Sequence, residues 1–119
     1  MQNPTTEMKT IPNKYGDSEI EFGRIKPFVN VCPETGKEEF VNIVTTYIPD
    51  EKLIEIVSYR EFFNRKFDLH IEGIADLVFN EIFRVAEPKH IKVQVFLEGN
   101  EDLTDWNVTM QGTKKYVKR

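Results

Sequence analysis

The chain has 119 residues, 39% hydrophobic and 12% aromatic, with a formal net charge of −4. That is enough apolar material for one small domain and too much for a disordered chain. The acidic balance argues against general nucleic-acid binding, because affinity for a phosphate backbone comes from Lys and Arg.

Met1 to about Ser18 is polar, holds Pro4, Pro12 and Gly16, and shows no apolar period. A flexible or loosely docked arm over 1–18 is therefore expected ahead of a single domain over 19–119. The start is not a signal peptide, no apolar run reaches the length of a membrane span, and the single cysteine fits a reducing compartment. A cytoplasmic location follows as an expectation.

That cysteine, Cys32, is either a small buried apolar residue or a nucleophile. Pro33 stiffens the backbone after it, Thr35-Gly36 is turn chemistry, and a carboxylate, Glu39, comes soon after. A cysteine on a loop beside an acid–base group favours the reactive reading.

From Glu39 to Ile48 a β-branched and aromatic run predicts a strand, Pro49-Asp50 a turn, and Leu53 to Ser58 the second arm of a hairpin. Tyr59 to Lys66 reads as a short amphipathic helix. Asp68 can cap a longer one from Leu69 to about Glu87, closed by Pro88. Ile71, Ile74, Val78, Ile82 and Val85 form its buried stripe, and Gly73 costs it about 1 kcal/mol against alanine. His90 to Leu97 alternates as a strand, and Trp106 to Gln111 supplies the last one.

The order ββααββ predicts an α+β domain with a four-stranded antiparallel sheet and both helices on one face. The other face and the edges would be bare, so a homo-oligomer is expected. Cys32, His70 and His90 lack ligand spacing, and no metal site is expected. Lys114, Lys115, Lys118 and Arg119 read as a solvated end.

The segment Phe28 to Gly36 (FVNVCPETG), then Thr46 to Asp50 (TYIPD), with Glu55 and His70, carries a likeness to a known family. On these residues the chain resembles the 7-cyano-7-deazaguanine reductases, nitrile reductases of queuosine (tRNA modification) biosynthesis built on the tunnelling fold. The resemblance runs roughly from Pro27 to Leu97. It implies that a cysteine adds to the substrate nitrile to give a thioimide, that a nearby acid supplies a proton, and that two hydrides from NADPH complete the reduction to an aminomethyl group. Carried over by position, Cys32 is the nucleophile, Glu39 the acid in place of the family's aspartate, and His70 the imidazole beside the substrate. Glu55, Ser58 and Glu72 fall to the 7-deazaguanine, and Arg60 to the cofactor. The family builds its sites at subunit interfaces.

Three positions depart from the family pattern. The glutamate that directly follows the family's histidine is Ile71 here, with Glu72 one step further, about 100° round a helix. The motif Glu-Ser-Lys-Ser, an apolar residue and Lys reads Glu55-Ile56-Val57-Ser58-Tyr59-Arg60, so the first lysine has become Val57. An Arg-Gly-Gly loop is replaced by the acidic run Leu97 to Asp102. Two alternatives follow: a relative that passes the thioimide to an amine without a cofactor, like the archaeosine-forming amidinotransferases, and a non-catalytic protein that binds a purine- or pterin-like ligand.

Overall fold

The structure, a computed structural model, describes residues 7–98 and 107–113. Seven strands and two helices follow one another as β1 (Thr10–Pro12), β2 (Ile20–Phe22), β3 (Phe28–Val31), β4 (Glu38–Ile48), β5 (Lys52–Ile54), α1 (Ile56–Phe62), α2 (Ile71–Ala86), β6 (His90–Glu98) and β7 (Asn107–Thr113). Trp106, the basic end and the Gly99–Asp102 part of the acidic run lie outside the described residues.

The main sheet is antiparallel, in the order β2-β4-β6-β7, and β3 also pairs with β4. Thr45, Thr46 and Tyr47 take β2, Glu38 to Val41 take β3, and β6 runs along the opposite edge of β4 from Phe40 to Ile48. β2 and β3 therefore share one row, and the sheet has four rows. Register places Phe22, Phe28, Val41, Ile43, Thr45, Tyr47, Ile91, Val93 and Val95 on one face. All but Phe22 are at most 5% exposed. Against that face pack Ile74, Val78 and Ile82 of α2 and Tyr59 of α1.

Both helices thus cover one face, as the alternation in the strands and the period in α2 require. Two polar groups are tolerated in this core because they satisfy each other, the Thr45 and Tyr59 hydroxyls lying 2.7 Å apart.

The far face carries Val44, Thr46, Ile48, Gln94 and Phe96, all partly exposed, and Phe40, 53% exposed. Residues 23–27, between β2 and β3, fold over part of it. Asn42 exchanges two hydrogen bonds with the Ile25 backbone, and Arg24 stacks 4.1 Å from the Phe96 ring centre and pairs with Glu98.

The predicted first hairpin is corrected. Leu53 to Ser58 does not return along β4. Its first half is β5, which pairs with β1, and its second half is already helix. The cause is Glu55, whose carboxylate accepts from the Val57 and Ser58 amides and caps α1 in spite of the β-branched Ile56 and Val57. The short helix expected over Tyr59 to Lys66 accordingly starts three residues earlier and ends at Phe62.

Over its described part the arm expected to be flexible or loosely docked lies against the domain. Met8 is buried in the core, its amide bonds to Glu81, and the Lys9 amide bonds to Ser58 Oγ.

Asp68 is not the cap of α2. His70 holds the N-cap position with no side-chain cap bond, and Glu87 closes the helix in a left-handed conformation (φ 45°) just before Pro88.

Candidate active site

The hairpin between β3 and β4 makes a thiol-binding turn. Cys32 donates its amide to the Lys37 carbonyl (3.0 Å) and accepts from the Gly36 amide (2.8 Å), with Gly36 at φ +73°, where a side chain would be strained. This closure turns the Thr35 amide, the Thr35 hydroxyl and the Glu34 amide onto the Cys32 sulfur. Those hydrogen bonds hold the thiol below its ordinary pKa, while partial burial and the nearby Glu39 charge push it up. Successive amides near one atom favour its anionic form, which for Cys32 is the thiolate. Cys32 itself is neither buried nor fully exposed.

Asn30, two residues earlier on β3, is the residue that sequence reasoning missed. It is wholly buried. Its Nδ2 donates to Glu39 Oε2 (2.9 Å) and to the Leu69 carbonyl (2.7 Å), and its Oδ1 accepts from the Leu69 amide (3.0 Å). Phe67 continues the attachment, accepting from the Val31 amide and donating to the Val29 carbonyl. Residues 67–69 are thereby kept extended along β3, so α2 cannot begin at Asp68 and starts only after His70. A polar residue at a core-facing strand position was the available signal.

His70 lies beside the same turn, with Nε2 2.8 Å from Glu34 Oε2. Cys32, Glu39 and His70 are therefore brought together, in the turn after β3, on β4 and at the head of α2. Glu72 points to solvent from the first turn of α2, and Ile71 is partly buried.

The remaining candidates lie elsewhere. Tyr47 is eight positions along β4 from Glu39, about 27 Å of extended chain. The Tyr47 hydroxyl accepts from the Ile54 amide at 2.9 Å, which fixes Glu55 and the start of α1 at that far end. The Val57 and Ser58 amides hold the Glu55 carboxyl below its usual range. Ser58 is buried, its hydroxyl donating to the Glu55 carbonyl and accepting from Lys9.

Arg60 opens onto a cleft of ≈ 600 Å³ between α1 and the start of β3. Among the described residues no cluster of His, Cys, Asp and Glu could hold a metal ion, and no helix is long and apolar enough to cross a membrane.

No family model matches the chain. Curated relatives do. An NADPH-dependent 7-cyano-7-deazaguanine reductase from Chlorobaculum parvum is 33% identical over 101 residues, 82% of this chain and 76% of its own. One of the same name from Alkalilimnicola ehrlichii is 30% identical over 94 residues, 76% of this chain and 72% of its own. The match to the Bacillus subtilis protein of that name, also 30% identical, spans only 54% of its length. Among solved structures, the archaeosine synthase QueF-Like in the apo form superposes with a TM-score of 0.63 at 14% identity, over 84% of this chain and 94% of that one. At that identity the likeness shows the fold, and the fold is the tunnelling fold.

Proposed function

The chain belongs to the NADPH-dependent 7-cyano-7-deazaguanine reductase family, and on that premise we propose that it reduces the nitrile of 7-cyano-7-deazaguanine to an aminomethyl group through a thioimide on Cys32, as a step of queuosine biosynthesis. The observation that carries this reading is the placing of Cys32, on a turn closed by its bonds to Lys37 and Gly36, beside Glu39, which Asn30 holds, and beside His70, which pairs with Glu34.

The thiolate is the attacking species. Glu39 takes the Cys32 proton as the thiolate forms; as the sulfur makes a C–S bond to the nitrile carbon, one π pair of the C≡N bond moves to nitrogen, which takes that proton from the Glu39 carboxyl. Asn30 holds the Glu39 carboxylate by one oxygen and leaves the other free for that transfer. His70, hydrogen-bonded to Glu34, stands beside the same turn, and in this reading it contacts the substrate.

Two equivalents of NADPH, bound in turn, would each supply one of the two hydrides that the reduction to the amine needs. The cation set around the cleft suits the cofactor's phosphates better than the motif position does. Val57 offers no charge, Glu55 is occupied by its own helix, and Arg60 faces a cleft that Lys26, Arg65 and Lys66 also line.

Cys32 and Glu55 sit at opposite ends of the sheet, so one chain cannot bring both to one ligand. A homo-oligomer with the site at a subunit boundary reconciles them. Exposed apolar side chains stand beside each half, Phe40 next to Glu39 and Ile56 and Val57 next to Glu55.

Intact mass after incubation with 7-cyano-7-deazaguanine, without and then with NADPH, tests the reading. A Cys32-dependent adduct discharged by NADPH is expected. An adduct that NADPH leaves in place but an amine releases would favour the cofactor-independent alternative, to which Val57 lends support. The absence of any adduct would overturn both and leave a ligand-binding tunnelling-fold protein.

A further inference from the structure

In a chain of net charge −4, one cleft reverses the sign. The ≈ 600 Å³ hollow between α1 and the start of β3 is lined by Lys26, Arg60, Arg65 and Lys66 against a single carboxylate, Glu61. Phe28 and Phe63, both nearly buried, form its floor. That volume lies in the range of small-ligand sites.

The cations come from two separate segments. Lys26 belongs to the turn before β3, and the other three to α1 and the residues after it. The fold, not a local charge run, brings them together. The Arg65 guanidinium lies over two rings, its carbon 4.9 Å from the centre of Phe62 and 4.5 Å from that of Phe67. Those contacts hold it in place before any ligand arrives. Lys66 pairs with Glu38 at 2.8 Å, but both side chains are more than half exposed, so the pair exchanges readily. The side chains of Lys26 and Arg60 make no ion pair among the described residues. Val29, on the wall of the cleft, is three residues from Cys32, about 10 Å of strand.

We propose that this cleft is an anion site for the phosphate end of a nucleotide, held by Lys26 and Arg65 together with Arg60 and, after exchange, Lys66. The inference rests on the reductase reading and relocates the charge lost at Val57. Three of these cations lie outside the stretch Glu55 to Arg60. A cationic rim around an apolar floor suits a ligand that carries a phosphate. Its small volume suits a free nucleotide more than an RNA backbone.

Calorimetric titration of the full chain with NADP⁺, NAD⁺ and bulk tRNA, at low and high salt, tests it. Wild-type protein should bind NADP⁺ more tightly than NAD⁺, and salt should weaken the binding. Lys26→Glu and Arg60→Gln should each lower NADP⁺ affinity about tenfold to a hundredfold, with thermal melting unchanged. Glu38→Gln, which releases Lys66, should tighten it severalfold. Failure of NADP⁺ to bind, equal binding by these variants, or binding of tRNA alone would each overturn the proposal. The Cys32 adduct on wild-type protein reports separately on the reductase reading. An adduct without NADP⁺ binding removes only the anion site, and NADP⁺ binding without an adduct keeps the site while removing the nitrile chemistry.

Discussion

The Asn30 side chain holds Glu39 Oε2 at 2.9 Å while both polar groups of Leu69 are bonded to the same amide. One buried residue thus sets the carboxylate on β4 and the start of α2, where His70 sits, relative to the cysteine two positions further along the chain. Asn30→Asp keeps the acceptor for the Leu69 amide, loses both donors, and places a second carboxylate against Glu39. Loss of buried bonds should cost about 1–3 kcal/mol in denaturant unfolding. With the hold on Glu39 gone, Cys32 adduct formation should slow beyond what the loss of folded protein explains. A variant that loses stability but forms the adduct at the wild-type rate would assign Asn30 to the fold alone.

The thiol itself offers a direct readout. Hydrogen bonds from Thr35 and Glu34 favour the thiolate, so the midpoint of Cys32 alkylation by iodoacetamide against pH should lie below that of a free cysteine. Thr35→Val removes the hydroxyl donor and should raise the midpoint. Glu39→Gln removes a charge that opposes the thiolate and should lower it. Equal midpoints for all three proteins would mean that the turn does not act on the sulfur.

The second half of the domain was legible because its patterns are long. α2 repeats its apolar residues over sixteen positions, and β6 alternates over nine, so a hydrophobic period decides the element unaided. The first row of the sheet was not. β2 and β3 are three and four residues long, with Gly23 and Pro27 between them, and only the shared partner β4 joins them into one row. Ile56-Val57 read as strand because both are β-branched, and the cap at Glu55 overrode that preference. In the site, Cys32 and Glu39 were visible from the turn residues between them. Asn30 was hidden, since an asparagine between two valines shows its purpose only once Leu69, 39 residues away, is placed beside it.

The core pair Thr45 and Tyr59 tests how the helices are fixed to the sheet. Burial holds the Tyr59 hydroxyl protonated well above the usual tyrosine range, and its partner at 2.7 Å only partly offsets this. Tyr59→Phe leaves the Thr45 hydroxyl buried without its partner, and a loss of about 1–3 kcal/mol is expected from chemical denaturation. Adding Thr45→Val removes the orphan, so the double variant should be more stable than the sum of the singles predicts. Strict additivity would mean that the two hydroxyls are not coupled in solution.

The separation of Cys32 from Glu55 gives the sharpest test of assembly. Two variant chains, Cys32→Ala and Glu55→Ala, should each be inactive alone, the first without a nucleophile and the second without the carboxylate at the far end of the sheet. Refolded together in equal amounts, they form boundaries at random. A boundary that takes Cys32 from one chain and Glu55 from its neighbour is intact in one combination of four, so about a quarter of wild-type turnover should return. Recovery requires that the two residues act across a boundary between copies. If the mixture stays as inactive as its components while the single variants still assemble, both residues serve the same chain or Glu55 serves only as the cap of α1. The Glu55→Gln protein separates those two cases. The Val57 and Ser58 amides depress the folded carboxyl pKa, so the stability Glu55 contributes is present above its unfolded value and lost as pH falls through the folded one. A pure cap would then show as unfolding curves for Glu55→Gln and wild type that differ near neutrality and converge in acid, with turnover untouched.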